Sequence, residues 1–284
     1  MDVSLLVVPY DSARESWRMG AGPIRLLKEL EPRLRQAGHT PTPEIIKLQD
    51  PFPTEISSSF ALNRQLAEQV RQAQNQGRFP LVLAGNCGAS LGVVAGLPYQ
   101  EVGIVWLDAH GDYNTPETST SGFLDGMGLA VVTGQCWQPL ACSVLGFKPV
   151  PPTRVLHIGG RNCDTLELAA LQQAGIALVA PQQAGAPTFA AALAPLVTAL
   201  AAQVKHCYVH IDLDVLDAEL VGRANTYAST GGLTLVQVLA VVETLQQSLS
   251  ISAVTFASYD PQADTEGHVL AAALRIAQQL LPSS

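Results

Sequence analysis

The sequence predicts an α/β fold built on a parallel sheet covered by helices on both faces. Two observations carry this. Short apolar runs without polar alternation recur along the chain, and longer runs with a helical period separate them. A third observation fits the same architecture. The candidate chemistry-bearing residues fall just after the apolar runs, where open parallel sheets place their sites.

Taken in order, Ser4 to Val8 reads as a short buried strand. Pro23 to Gln36 reads as a helix, with proline in the first turn, Leu26, Leu27, Leu30 and Leu34 on one face, and Gly38 beyond its end. Ser57 to Gln76 is a second helix. Leu81 to Leu83, Val102 to Leu107, Val155 to Ile158, Ala177 to Val179, Tyr208 to Ile211 and Ala253 to Phe256 read as strands. Helices fill the intervals, clearest over Thr188 to Val204, Thr234 to Leu249 and His268 to Leu281. The Pro149-Val150-Pro151-Pro152 stretch reads as a loop and not as a domain boundary. With no repeat or linker in view, residues 1–284 are expected to form one domain.

A hydrophobic content of 48% against 14% charged residues excludes a disordered chain. The net charge of -8 and the absence of a basic run argue against nucleic acid and anionic membrane as partners. No apolar stretch of about 18 residues is present, and the start lacks a basic segment before a long apolar one. Five irregularly spaced cysteines (Cys87, Cys136, Cys142, Cys163, Cys207) read as reduced thiols of a cytoplasmic protein. Cys136, Cys142 and Cys207 are expected in the core as small hydrophobes.

The most informative stretch is Trp106-Leu107-Asp108-Ala109-His110-Gly111-Asp112. Three metal-competent side chains stand at i, i+2 and i+4 directly after an apolar strand, so an extended chain would project them together. His210-Ile211-Asp212-Leu213-Asp214 repeats the pattern after a later strand. Carboxylates are hard oxygen ligands suited to Mg, Ca or Mn, and an added imidazole suits Mn, Fe, Co, Ni or Zn. Two acids at one strand end could equally cap a helix or pair with arginine. Two such pairs with an in-phase His110 favour a cage for two divalent cations. Gly85-Asn86-Cys87-Gly88 also follows a strand, but it lacks the third spaced glycine of a dinucleotide fingerprint and the lysine of a phosphate loop.

These motifs resemble those of the arginase, agmatinase and formiminoglutamase family, the ureohydrolases, over most of the chain. Pro9-Tyr10-Asp11 through Gly20-Ala21-Gly22-Pro23 is similar to the family's opening, and Leu83-Ala84-Gly85-Asn86-Cys87 to its Gly-Gly-Asp-His segment. Asp108-Ala109-His110-Gly111-Asp112 resembles Asp-Ala-His-x-Asp. Asp212-Leu213-Asp214-Val215-Leu216-Asp217 and Gly231-Gly232-Leu233-Thr234 resemble the motifs that follow. The resemblance implies a three-layer α/β/α sandwich around a mostly parallel sheet, binding two Mn ions. Asp108 and Asp212 would bridge them, Cys87 and Asp112 would complete one site, and His110 and Asp214 the other. Asp217 would support the cage. Two cations a few ångströms apart hold a shared water and lower its pKa toward neutrality, so that hydroxide attacks a guanidinium or amidine carbon. Asp112 would be the proton shuttle. Asn114 and Ser121 fall where the family holds a substrate carboxylate. Asp164 falls where an acid contacts the substrate's amino group, with Glu167 supporting it; a helix N-cap is the other reading of Asp164. Arg161 would pair with neighbouring acids.

Three departures stand out. Cys87 replaces the family's first histidine ligand. A thiolate there would add a negative charge that neutral imidazole does not, favouring a softer metal such as Zn, Co, Ni or Fe over Mn; a thiol that keeps its proton would leave one site weak. The same substitution resembles a side branch acting on hydroxylated arginine. Asp125 stands where a histidine shuttles protons to the leaving amine; it is either a catalytic acid of raised pKa or a helix cap before Met127 to Val132. Ser258 replaces the glutamate that grips a guanidinium, with Asp260 as a shifted carboxylate. His210 is expected behind the ligands as a hydrogen-bonding support, a third ligand being the other reading. The remaining histidines, His39, His157, His206 and His268, have no constellation around them.

The expected activity is metal-dependent hydrolysis of a linear C–N bond in a guanidino or amidino small molecule. The rivals are a hydrolase of a formimino or hydroxyguanidino substrate and a catalytically silent metal-binding homologue. By family analogy the chain would be a homo-oligomer, a trimer or hexamer.

Overall fold

The computed structural model describes residues 1–49, 54–99, 101–181 and 186–281. Its centre is an eight-stranded sheet in the order β4-β1-β5-β10-β9-β6-β7-β8. The strands are β1 (Asp2–Val8), β4 (Thr40–Ile45), β5 (Phe79–Ala84), β6 (Val102–Leu107), β7 (Val155–Ile158), β8 (Ala177–Val179), β9 (His206–Asp212) and β10 (Ser250–Ala257). Every pairing in this sheet is parallel. A two-stranded hairpin, β2 (Tyr10–Asp11) and β3 (Arg14–Glu15), leaves the end of β1.

Parallel strands need crossovers, and helices supply them. One layer holds α1 (Gly22–Gln36), α7 (Ala186–Ala201), α8 (Leu235–Ser248) and α9 (His268–Leu280), packed on the strand residues Val105, Leu107, Val209 and Ile211. The other holds α2 (Glu55–Asn75), α3 (Ser90–Gly96), α4 (Gly128–Val132), α5 (Gln138–Ala141) and α6 (Thr165–Ala174), against Ile104, Trp106 and Tyr208. The inner strands β1, β5, β6 and β9 are largely apolar on both faces because both faces are covered. This is the three-layer α/β/α arrangement expected from the sequence.

The alternation decides where the chemistry points. Even-numbered residues of β6 and β9 face the α2–α6 layer, odd-numbered ones the other. The two strands pair directly, with Trp106 beside His210 and Leu107 beside Ile211. Asp108 and Asp212 therefore emerge from neighbouring strands on one face.

Strand β4 escaped the sequence reading. Thr40-Pro41-Thr42-Pro43-Glu44-Ile45 carries two prolines, which normally exclude a strand. It forms at the sheet's edge and pairs only with β1, so each proline's missing N–H belongs on the unpaired side. Cys136 and Cys207 are buried as expected, whereas Cys142 is exposed after the short helix α5. None of the helices among the described residues is long and apolar enough to cross a membrane.

One glycine near the site makes a close backbone approach. A Cβ on Gly85 would overlap the carbonyl oxygen of Tyr10 and lie 2.9 Å from the Cα of Gly20. Both neighbours are backbone and have little room to retreat. Gly85→Ala is therefore expected to cost about 1–3 kcal/mol of stability, read as a lower urea midpoint. A midpoint equal to the parent's would show that this contact is looser than described.

Candidate metal centre

The acids converge through turns, and the sequence expectation of an extended i, i+2, i+4 array needs correcting. Strand β6 stops at Leu107, and Asp108 folds its carboxylate back so that Oδ1 accepts the N–H of His110 at 2.7 Å. Asp212 ends β9 in the same way, accepting the N–H of Asp214 at 2.8 Å. Each is a short side-chain-to-backbone turn of the kind aspartate favours. Asp112 then takes a left-handed backbone with φ of 49°, and its carbonyl accepts from Leu129 and Ala130 at the start of α4. Aspartate tolerates that conformation better than most residues.

These turns bring the predicted residues together. Cys87, His110, Asp112, Asn114, Ser121, Asp125, Asp164, Asp212 and Asp214 all line one cavity of about 290 Å³. Asp108 lies beneath it, fully buried, and Trp106 Nε1 donates to its Oδ2 at 3.0 Å. The Nδ1 of His110 sits 3.3 Å from Asp214 and 3.5 Å from Asp108. The Sγ of Cys87 donates to Asp212 at 3.0 Å and lies 3.4 Å from the Ser258 hydroxyl.

The ionisation pattern follows from packing like charges away from water. Burial, then the charges of Asp108, Asp125 and Asp212, push the Asp112 carboxyl well up. Burial and the neighbouring Asp214 and Asp108 do the same to Asp212. Burial and Asp212 raise the Cys87 thiol. Burial also works against charge on Asp214, but the hydrogen bond and charge of His110 hold it down to about 2. His110 answers in kind: burial disfavours its cation, and Asp108 and Asp214 raise it to about 12.

Four buried side-chain atoms among the described residues have no hydrogen-bond partner, and two of them, Asp112 Oδ2 and His210 Nε2, belong to this cluster. Unpaired polar atoms in a protein interior are costly. Here they stand among four carboxylates, an imidazole and a thiol. That donor set fits divalent cations, with carboxylates as hard ligands and nitrogen and sulfur extending the range to softer ions. One ligand atom each from Asp108, His110 and Asp214 lie within 4.8 Å of one another; so do those of Cys87, Asp108 and His210.

Several single-residue expectations change. Asp125 does not cap the helix that follows it. It accepts from the Gly88 N–H at 2.8 Å and from Asn86 Nδ2 at 2.8 Å, clamping the turn that carries Cys87. Burial raises its carboxyl to about 7 despite those two donors. Among the described residues Arg161 pairs with no acid; it donates to backbone carbonyls, among them Asp214 at 2.8 Å and Ser229 at 3.0 Å, and so pins the loop after β9. Asp260 does not reach the cavity and accepts the N–H of Gln262 at 2.9 Å. His210 makes no bond to the acids; its Nδ1 meets the Tyr208 hydroxyl at 3.1 Å. Asp164 takes the helix-cap reading, starting α6 in a reciprocal cap with Glu167, and it also accepts from Asn114 Nδ2 at 3.3 Å at the cavity wall. Ser121 is exposed at the rim.

Some residues were not visible to sequence reasoning. Asn225 is buried and donates to Asp214 and to the Ser258 carbonyl. His157 reaches the His110 carbonyl through Nε2 at 2.8 Å, orienting the backbone that carries that imidazole. Trp106 was legible in principle, standing two residues before Asp108 and so on the same face.

The comparisons with known proteins identify the family and match the fold. The model of the arginase family matches residues 1–282. The chain is 28% identical to an arginase of Bacillus caldovelox over 288 residues, covering 96% of each. It is 29% identical to an arginase of Bacillus subtilis over 292 residues, covering 98% of this chain and 97% of that one. The crystal structure of the Bacillus subtilis enzyme superimposes with a TM-score of 0.90 at 26% identity, covering 100% of this chain and 99% of that chain.

The raised acids give the metal-free protein a signed pH dependence. Asp112, Asp125 and Asp212 hold protons in the folded state that the unfolded chain has released. Folded protein thus binds more protons between roughly pH 4 and about 7, and stability must fall as pH rises across that window. Asp214 acts in the opposite sense below that window. Buried His210 and His157, whose lowered pKa values keep them neutral, oppose the acids within it but are two against three. The His110 contribution is lost only at higher pH. With chelator present, the urea midpoint should be higher near ~pH 5 than near ~pH 7, and divalent cations should remove the difference. A midpoint that climbs from 5 to 7 without metal would contradict this charge distribution.

Proposed function

The chain belongs to the arginase family, and we propose that it is a metal-dependent hydrolase of a linear C–N bond in a guanidino or amidino small molecule. The observation that carries this is the pair of ligand triads that share Asp108 at the floor of one cavity. In this reading Asp108 and Asp212 would be shared between two cations, Cys87 and Asp112 would help to hold one of them, and His110 and Asp214 the other. Two divalent cations, when bound, offset the negative charge of the cage and make a water acidic enough to attack a poor electrophile.

The chain's own groups supply the rest. The cavity is lined by Asp112, Asp125, Asp164, Glu167, Asp212 and Asp214, so it favours a cationic substrate. Asn114 and Asp164, tied together at the rim, would hold polar groups at the substrate's far end, with Ser121 beside them. With the cations bound and its carboxyl ionised, Asp112 would take a proton from the attacking water through Oδ2, which has no partner in the protein. Asp125, raised to about 7, can return one to the leaving amine near neutral pH. Ser258 supports a substrate other than arginine: it offers a hydroxyl, and its left-handed backbone, with φ of 62°, keeps it beside Cys87.

The test is an assay of the purified protein with Mn, Co, Ni, Zn or Fe against guanidino, hydroxyguanidino and formimino compounds, following urea and ammonia. Turnover of at least one guanidino compound is expected, and Asp112→Asn should lower kcat by about 10²–10⁴. Full metal occupancy with silence across the whole panel would overturn the hydrolase reading and leave a metal-binding homologue.

A further inference from the structure

We propose that His210 is itself a metal ligand, joining Cys87 and Asp108 through Nε2 and supplying from strand β9 the imidazole that the turn at position 87 lacks. This rests on the two-cation reading above and names the donor set of one of its sites.

Distance comes first. A ring nitrogen of His210, the Cys87 sulfur and an Asp108 oxygen all lie within 4.8 Å of one another. Donors about 2.0–2.3 Å from one ion are separated by up to about 4.6 Å, so the triad needs only a small contraction to close on a single cation.

The protonation state comes next. The Tyr208 hydroxyl donates to Thr255 Oγ1 at 2.8 Å. Having spent its proton there, the Tyr208 oxygen can only accept at 3.1 Å from His210, which places the imidazole proton on Nδ1. The Nε2 lone pair is left free, fully buried and without a partner. A neutral imidazole whose other nitrogen is fixed by a hydrogen bond is how proteins present histidine to a metal.

The ring is also held in place. It stacks on the Trp106 indole with centroids 3.8 Å apart and planes 22° off parallel. The same indole donates to Asp108 Oδ2 at 3.0 Å. One tryptophan thus orients two of the three donors. The second triad, Asp108, His110 and Asp214, shares only Asp108 with the first, so each cation has its own imidazole. On binding, Cys87 releases its thiol proton to solvent and gives up its hydrogen bond to Asp212. The resulting sulfur, nitrogen and oxygen set favours Zn, Co or Fe over Mn at this site.

The experiment uses zinc alone as probe and the parent chain, so it does not depend on a variant folding. Long-range proton–nitrogen NMR of the histidine-labelled, metal-depleted protein is recorded during a Zn(II) titration, with bound zinc counted in parallel. The His210 Nε2 signal should leave the position of an unprotonated nitrogen and reach that of a metal-bound one, while the Nδ1 proton persists. Tyr208→Phe should weaken zinc at one of two sites by about 10–100-fold, and His210→Asn by more. Two bound zinc ions with a shifted His110 ring and an unmoved His210 signal would overturn the assignment while leaving the two-cation reading intact. Failure of the parent to bind any zinc would overturn both. Absence of turnover alone would count against the hydrolase reading and not against this ligand set.

Discussion

Like charge held out of water is the constraint on which the rest of this structure turns. Asp108, Asp112, Asp212 and Asp214 are all buried at one end of the sheet, and the ion pairs that the cage acids make within the described residues run to His110. Protein groups alone do not balance them, so part of the charge is suppressed by protonation, as the raised carboxyls of Asp112 and Asp212 show. The chain maintains this costly arrangement with backbone donors, a tryptophan N–H and turns that fix each carboxylate. Divalent cations would resolve the conflict, and candidate ligand atoms for them already lie together.

The sheet makes such crowding possible. Because β6 and β9 are neighbours in register, two aspartates from distant parts of the chain emerge on one face. The flanking strands β5 and β10 then bring Cys87 and Ser258 to the same end. The helical layers bury more than forty side chains on the faces of this platform, and dense packing of that kind keeps strand positions fixed against electrostatic repulsion.

Much of this was legible in the sequence because it rests on short periods. The apolar runs gave seven of the eight sheet strands, and the alternation through Asp108 and Asp212 gave the shared face. What was not legible depends on contacts between segments far apart. The prolines of β4 argue against a strand until one knows that the strand is an edge. The loop acid Asp125 looks like a cap for its own helix, yet its partners lie on the Cys87 turn. His210 looks like a support, yet its hydrogen bond runs to Tyr208 and leaves Nε2 bare. Nothing in the local sequence distinguishes Asn225 from an ordinary loop asparagine. The departures at Cys87, Asp125 and Ser258 are also connected in space, since Asp125 clamps the turn bearing Cys87 and Ser258 touches its sulfur. They alter one wall of the cavity together.

The decisive role belongs to Asp108, the residue common to both triads. Equilibrium dialysis of the metal-depleted parent and of Asp108→Asn against Mn(II) and Zn(II) measures that role directly. The account predicts two ions per chain for the parent and loss of tight binding at both sites in the variant. A variant that still holds one ion with parental affinity would show that the two sites are independent, and the shared cage would have to be abandoned.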